Sequence, residues 1–162
     1  MIRAILLVSA LFVSACASAP PAPEQTAAAS PGPGRFSAAD ISKLAFLEGR
    51  WTGIGPDGQP FYDQYSFPDK YQLRSERFDS TFTALRDRSR VYALDGQIIS
   101  HWYSQTWRAT ELRDGYVAFE PVNAPNAFHW KRIDADTVEI LQRFTAEDGQ
   151  PQSYTITMKR IG

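Results

Sequence analysis

Few residues in this 162-residue chain could do chemistry. There are two histidines, His101 and His129, and a single cysteine, Cys16. Both histidines sit among aromatics, in Ile99-Ser100-His101-Trp102-Tyr103 and in Ala127-Phe128-His129-Trp130. Either has the chemistry of an axial iron ligand. A histidine beside large aromatics is more often a packing residue that satisfies one backbone group. Two histidines cannot complete a zinc site on their own. The arginines make a fuller pattern. Arg74 alternates with Gln72 and Glu76, and Arg86, Arg88 and Arg90 alternate with Tyr92. An arginine turned inward beside Tyr65, Tyr71, Tyr92 or Tyr103 would clamp an anionic head group with its planar fork. On an outer face the same residues are only solvated charge. The candidate ligand-binding residues are therefore Arg74, Arg88, Tyr65, Tyr92, His101 and His129. No G-x-S-x-G, HExxH, CxxC, calcium-loop or P-loop pattern is present. The chain gives no positive sign of an enzyme, and neither a metal nor a cofactor is expected.

The elements that must position these residues are short strands. From Gly55 onward the chain is punctuated by turn chemistry: Gly55-Pro56-Asp57-Gly58, Pro68-Asp69, Asp79-Ser80, Asp95-Gly96, Ser104-Gln105, Asp114-Gly115, 123–126, Asp134-Ala135-Asp136 and Glu147-Asp148-Gly149. The intervening runs are rich in Tyr, Phe, Trp, Ile, Val and Thr. They predict strands near 50–54, 60–67, 71–78, 82–94, 97–103, 107–112, 116–121, 127–133, 137–144 and 152–160. Alternation is clear in the last two. Tyr154, Ile156 and Met158 oppose Ser153, Thr155, Thr157 and Lys159, and Val138, Ile140 and Phe144 oppose Thr137, Glu139 and Arg143. The polar centre of 82–94 leaves room for a bend. Ahead of the strands, Ser37-Ala38-Ala39-Asp40 predicts the cap of a short helix carrying Ile41, Leu44, Ala45 and Leu47, ended by Gly49. Ten strands joined by tight turns predict an all-β, up-and-down antiparallel barrel over 36–162, which leaves no open sheet edge.

The segment before the barrel has a different composition. Arg3 precedes the apolar run Ala4 to Ala15, which is too short to span a bilayer as a stop-transfer helix. Val13-Ser14-Ala15-Cys16 resembles the lipobox of bacterial lipoproteins. The resemblance implies a signal peptide over 1–15, cleavage before Cys16, and lipidation of Cys16 on its sulfur and its new amino terminus. It also implies a bacterial envelope location. Residue 17 is Ala, not the Asp that retains lipoproteins in the inner membrane of enteric bacteria. The outer membrane, facing the periplasm, is therefore expected. Residues 16–35 then form a Pro/Ala-rich linker whose only charge before Arg35 is Glu24. It holds too little apolar surface to offset its ordering entropy. The formal net charge of the chain is −1, with 17 basic and 18 acidic residues, and cleavage would remove Arg3 to leave −2. No basic domain or long basic stripe marks a nucleic-acid partner.

The first strand opens as Leu47-Glu48-Gly49-Arg50-Trp51-Thr52-Gly53-Ile54-Gly55. Gly49-x-Trp51 behind a helical turn resembles the opening of the calycins, the lipocalin and fatty-acid-binding superfamily. The resemblance implies that Trp51 plugs the closed end of the barrel, with Arg160 or Lys159 from the last strand stacked on it. The longer pattern Gly49, Trp51, Gly53, Gly55 is similar to nitrobindins, haem barrels of the same superfamily. The opening together with Phe119-Glu120-Pro121 also resembles exported bacterial proteins of about this length. In nitrobindins a histidine in the C-terminal strand region holds the iron, but 152–160 contains none. A haem ligand here would have to be His101 or His129, and no haem binding is expected.

Three functions follow from this sequence. The leading one is an envelope lipoprotein whose barrel binds a small, largely apolar ligand. The second is a nitrobindin-type haem or nitrogen-oxide protein. The third is a structural or interaction lipoprotein with a filled core. The aromatic content, four Trp, seven Tyr and ten Phe, suits a lined cavity or a solid core equally well.

Overall fold

The short helix is set by an acid and a threefold spacing. In the computed structural model, which describes residues 36–162, a 3-10 helix runs over Ala38–Leu47. Ser37 caps it, and the Asp40 carboxylate accepts from the Ser37 backbone N–H at 2.7 Å and its hydroxyl at 2.8 Å. Three residues per turn stack positions i and i+3 along one edge. Ile41, Leu44 and Leu47 form that edge and are fully buried. The expected signal segment, Cys16 and the linker lie outside the described residues.

Ten antiparallel strands follow: β1 (Gly49–Ile54), β2 (Pro60–Asp69), β3 (Gln72–Phe78), β4 (Leu85–Leu94), β5 (Gln97–Trp102), β6 (Gln105–Arg113), β7 (Tyr116–Pro121), β8 (Asn126–Asp134), β9 (Thr137–Thr145) and β10 (Pro151–Ile161). Each pairs with the next, and β10 pairs back to β1, so the sheet closes into an up-and-down barrel. The fold expected from strand spacing is the fold observed. One strand differs. β4 begins at Leu85, with a shift in its register against β3 between Leu85 and Asp87, while 79–84 form a loop. The Asp79 carboxylate gathers that loop, accepting from the N–H groups of Thr83 and Ala84 and the hydroxyl of Thr81. Phe82 sits in the left-handed region, φ 58°, with its ring packed against Tyr62 and Phe78. The strand propensity of Phe82 is overridden by this local hydrogen bonding.

The barrel is filled at one end only. The 3-10 helix lies across the end where β1 starts and β10 finishes. Beneath it pack Trp51, Leu73, Ile98, Val117, Val138 and Met158, all essentially without exposed surface. Trp51 donates its indole N–H to the Leu47 carbonyl at 2.7 Å. Arg160 is the register partner of Trp51, and its guanidinium stands 4.3 Å from the centroid of the Trp51 ring. The same guanidinium donates to the carbonyls of Glu48, Phe46 and Ala135. These three acceptors orient its face over the indole. Gly49 makes the approach possible. Its φ is 120°, and a Cβ there would strike the Arg160 guanidinium. At Gly53 a Cβ would meet the Phe61 ring at 2.7 Å. Gly55 sits beyond the end of β1, with Asp57 folded back on it.

Candidate functional site

The other half of the barrel is open. A cavity of about 660 Å³ occupies it, walled by residues of β2–β6 and β8–β10. In a barrel, alternate residues of each strand face inward. Leu73 and Val91 are buried in the lower core. Their parity carries Ser75 and Arg77 on β3, and Asp87 and Ser89 on β4, to the lumen wall above them. From β8, β9 and β10 come Phe128, Trp130, Ile140, Phe144 and Ile156. In the strand order these face β3–β5 across the lumen. One wall is thus polar and the opposite wall aromatic and aliphatic. The alternation expected for β9 and β10 is observed, and the faces of Ile140 and Phe144, with Gln142 between them, and of Tyr154 and Ile156 are the ones that line the lumen.

The polar wall is organised around Arg77. Its Nε and Nη2 donate to the two oxygens of Asp63 at 2.8 and 3.0 Å, a bidentate pair. The Asp63 side chain is 6% exposed and that of Arg77 49%, so the acid is sealed in the wall while the guanidinium reaches the lumen. The hydrogen bonds to Asp63 hold the Arg77 pKa above its already high ordinary value. The Arg77 guanidinium also lies 4.6 Å from the Phe61 ring centroid. Asp87 is the register neighbour of Arg77 on β4. It accepts the Trp102 indole N–H at 2.7 Å and the Arg88 backbone N–H at 2.7 Å. Deeper in, Tyr65 is buried. Desolvation, with the Asp63 carboxylate beside it, pushes its phenol upward, so it is a neutral hydroxyl at physiological pH.

Of the six expected ligand-binding residues, Tyr65 lies in the lumen wall. Arg88 borders the rim, but its guanidinium is held by Glu76 at 2.7 Å across the outer wall. Arg74 shares the outer parity of Glu76, and Tyr92 lies on the outer face under the Arg90 guanidinium. His101 lies between the inward residues Ser100 and Trp102 and so points outward. His129 likewise lies between Phe128 and Trp130, with its ring against Tyr116 on the outer wall. Burial and nearby Arg143 keep its pKa below the ordinary histidine value. The positions of Arg74, Tyr92, His101 and His129 follow from the period of two: a strand that turns Leu73, Val91, Ser100 or Phe128 inward turns its neighbours outward. No histidine lines the cavity among the described residues. Among them there is also no group of three His, Cys, Asp or Glu side chains that could hold a metal ion.

The inward arginine is Arg77, with Asp63, Asp87 and Trp102 completing its wall. Sequence reasoning passed over these residues. The parity of Leu73 and Val91 was the available signal.

No protein-family model matches the sequence, and no curated protein matches it significantly. Among solved structures, the chain is similar to a protein of unknown function from the DUF3598 family of Nostoc punctiforme. The two share 18% identity over 73% of this chain, with a TM-score of 0.48. This chain spans 48% of the length of that protein. It is also similar to a redesigned β-barrel, at 14% identity over 78% of this chain and 99% of the design, with a TM-score of 0.33.

Proposed function

We propose that this chain is an envelope lipoprotein with a calycin-like barrel, and that the open half of the barrel binds a small, largely apolar ligand. The observation that carries the reading is the cavity. Its volume, about 660 Å³, falls within the roughly 300–1,000 Å³ of small-molecule sites, and apolar walls with a few convergent polar groups are their usual make-up. A barrel whose role was purely structural would fill both ends. Here the buried cluster continues up the wall through Trp107, Phe128 and Trp130 without closing the lumen, and Arg77 and Asp87 border the space it leaves. Trp51 stacked with Arg160 behind a short helix supports the calycin-like reading, although that arrangement speaks for architecture and not for chemistry. A haem held as in nitrobindins finds no support, since His101 and His129 both point away from the lumen.

The anchor belongs to the same proposal. Cys16 closes a short apolar run with small residues before it. Acylation there would tether the barrel to the membrane, with the outer membrane's periplasmic face as its site. Two or more acyl chains would make the tether stable, each buried methylene adding about 0.8 kcal/mol. Native mass spectrometry of the full chain extracted from bacterial membranes tests the ligand reading. A small molecule retained by the protein is the expected result. A bare protein mass, together with no uptake of apolar probes, would overturn it.

A further inference from the structure

Charge in the lumen is unbalanced. Four carboxylate or guanidinium side chains border the cavity: Asp63, Arg77, Asp87 and Arg88. Arg77 gives Nε and Nη2 to Asp63. Arg88 gives its guanidinium to Glu76, whose carboxylate lies on the outer wall. Each arginine is thus matched by its own acid. Asp87 is left over. Its two hydrogen bonds come from neutral donors, the Trp102 indole and the Arg88 backbone, and it makes no ion pair among the described residues. Arg77 senses its charge from the neighbouring strand, but that fork is already occupied by Asp63.

The mouth repeats the sign. The loops at the open end are 55–59, 79–84, 103–104, 122–125 and 146–150. They carry Asp57, Asp79, Glu147 and Asp148, and no Lys, Arg or His. Asp57, Asp79 and Asp148 accept backbone N–H groups within their own loops. This explains their place in the turns and leaves their negative charge intact. Aromatic rings stand beside the unpaired acid. Trp102 is 38% exposed at the rim. A carboxylate accepting its indole N–H makes the ring face more negative, which favours a cation over it.

We propose that the lumen accepts an amphiphile with a cationic head, an amine or quaternary ammonium group, held by Asp87 and Trp102 near the mouth. Its apolar part runs along Phe128, Ile140 and Ile156 on the opposite wall. The inference rests on reading the lumen as a ligand site, and it reverses the expectation of an anionic head group. An inward arginine would favour an anion only if its charge were free, and Arg77 is already neutralised. A carboxylate or phosphate entering here would meet Asp87 and a mouth without basic loop residues.

The test uses the full-length chain in zwitterionic lipid nanodiscs, titrated by calorimetry against empty discs. The probes share one octyl chain: octyltrimethylammonium, octanol and octanoate. At low salt the ammonium probe should bind about tenfold more tightly than octanoate, as expected for one partly desolvated charge contact with a cation–π face. Asp87→Asn should remove most of that preference, with the octanol affinity of the same folded variant as the neutral reference. High salt should narrow the preference in the unaltered chain, a measurement that stands even if the variant does not fold. Equal or tighter binding of octanoate would overturn the inference while the ligand reading survives. A preference unchanged in folded Asp87→Asn would overturn the assignment to Asp87. Binding of none of the three would overturn both the inference and the ligand reading.

Discussion

Replacing Trp51 should cost more than any other single side-chain truncation in the barrel. The indole has no exposed surface. A buried Trp covers roughly 200 Å², so at about 25 cal/mol per Å² its removal from the core forfeits roughly 4–5 kcal/mol. That figure sits at the upper end of the usual range of about 3–5 kcal/mol for Trp→Ala. Two further losses keep it there. The Leu47 carbonyl loses its 2.7 Å partner, and the Arg160 guanidinium loses the ring 4.3 Å from it. Single domains are held by only about 5–15 kcal/mol in total, so Trp51→Ala should leave the chain barely folded. Trp51→Phe is the quantitative variant. It keeps most of the volume and drops the indole N–H, and should cost about 1–3 kcal/mol. Equilibrium urea unfolding, followed by far-ultraviolet circular dichroism, measures both. A loss below about 1 kcal/mol for Trp51→Ala is what surface substitutions show, and it would refute the plug.

Breaking the lumen ion pair from the arginine side should destabilise more than removing both partners. Arg77→Ala strands an acid that is 6% exposed. It should cost about 2 kcal/mol, less than the roughly 3–5 kcal/mol of a fully buried pair because Arg77 reaches water. The double change Asp63→Ala with Arg77→Ala should cost no more than the single one, which a double-mutant cycle in urea would check. Asp40 should confer a small pH-dependent stability. Its pKa is lowered to about 2 by the Lys43 ammonium and by the N–H and hydroxyl of Ser37. A carboxyl depressed in the folded state stabilises above its unfolded pKa, near 3.8, and the benefit fades as pH falls through about 2. Asp40→Ala should therefore cost about 1 kcal/mol or less at neutral pH, given the exposure of the pair. The gap from the unaltered chain should close in the acid arm of a stability–pH curve. For the anchor, Cys16→Ala should abolish lipidation and leave the protein uncleaved or released in soluble form. Labelled palmitate that still entered the variant would contradict the lipoprotein proposal.

Strand order and closure were legible because two independent signals coincided. Turn chemistry such as Asp95-Gly96 and Asp114-Gly115 set the strand ends, and alternation in stretches such as Val138-x-Ile140 and Ile156-x-Met158 set the faces. The lumen was less legible. On β3 the alternating charges Arg74 and Glu76 stand out, yet Leu73 is the residue that fixes the parity and brings Arg77 inside. On β4 the run of three arginines hides Asp87 and Ser89, which lie between them. Asp79-Ser80 was legible as a turn, but 82–84 were read as strand because Phe82 and Thr83 carry strand propensity, while the organising group is one carboxylate, that of Asp79. The cavity itself is not written in composition. The same Phe and Trp residues that fill the lower core around Trp51 line the open half, and only the length of the barrel above the plug separates the two.

The open half of the barrel should behave as an occupiable, largely apolar site. Titration of the chain with a neutral naphthylamine fluorophore tests it most directly, with energy transfer read from Trp107 and Trp130 in the wall. Binding should saturate at one probe per chain and should be lost in Ile140→Trp, whose larger side chain would occupy the lumen. Absence of saturable binding, or undiminished binding in a folded Ile140→Trp variant, would contradict the account.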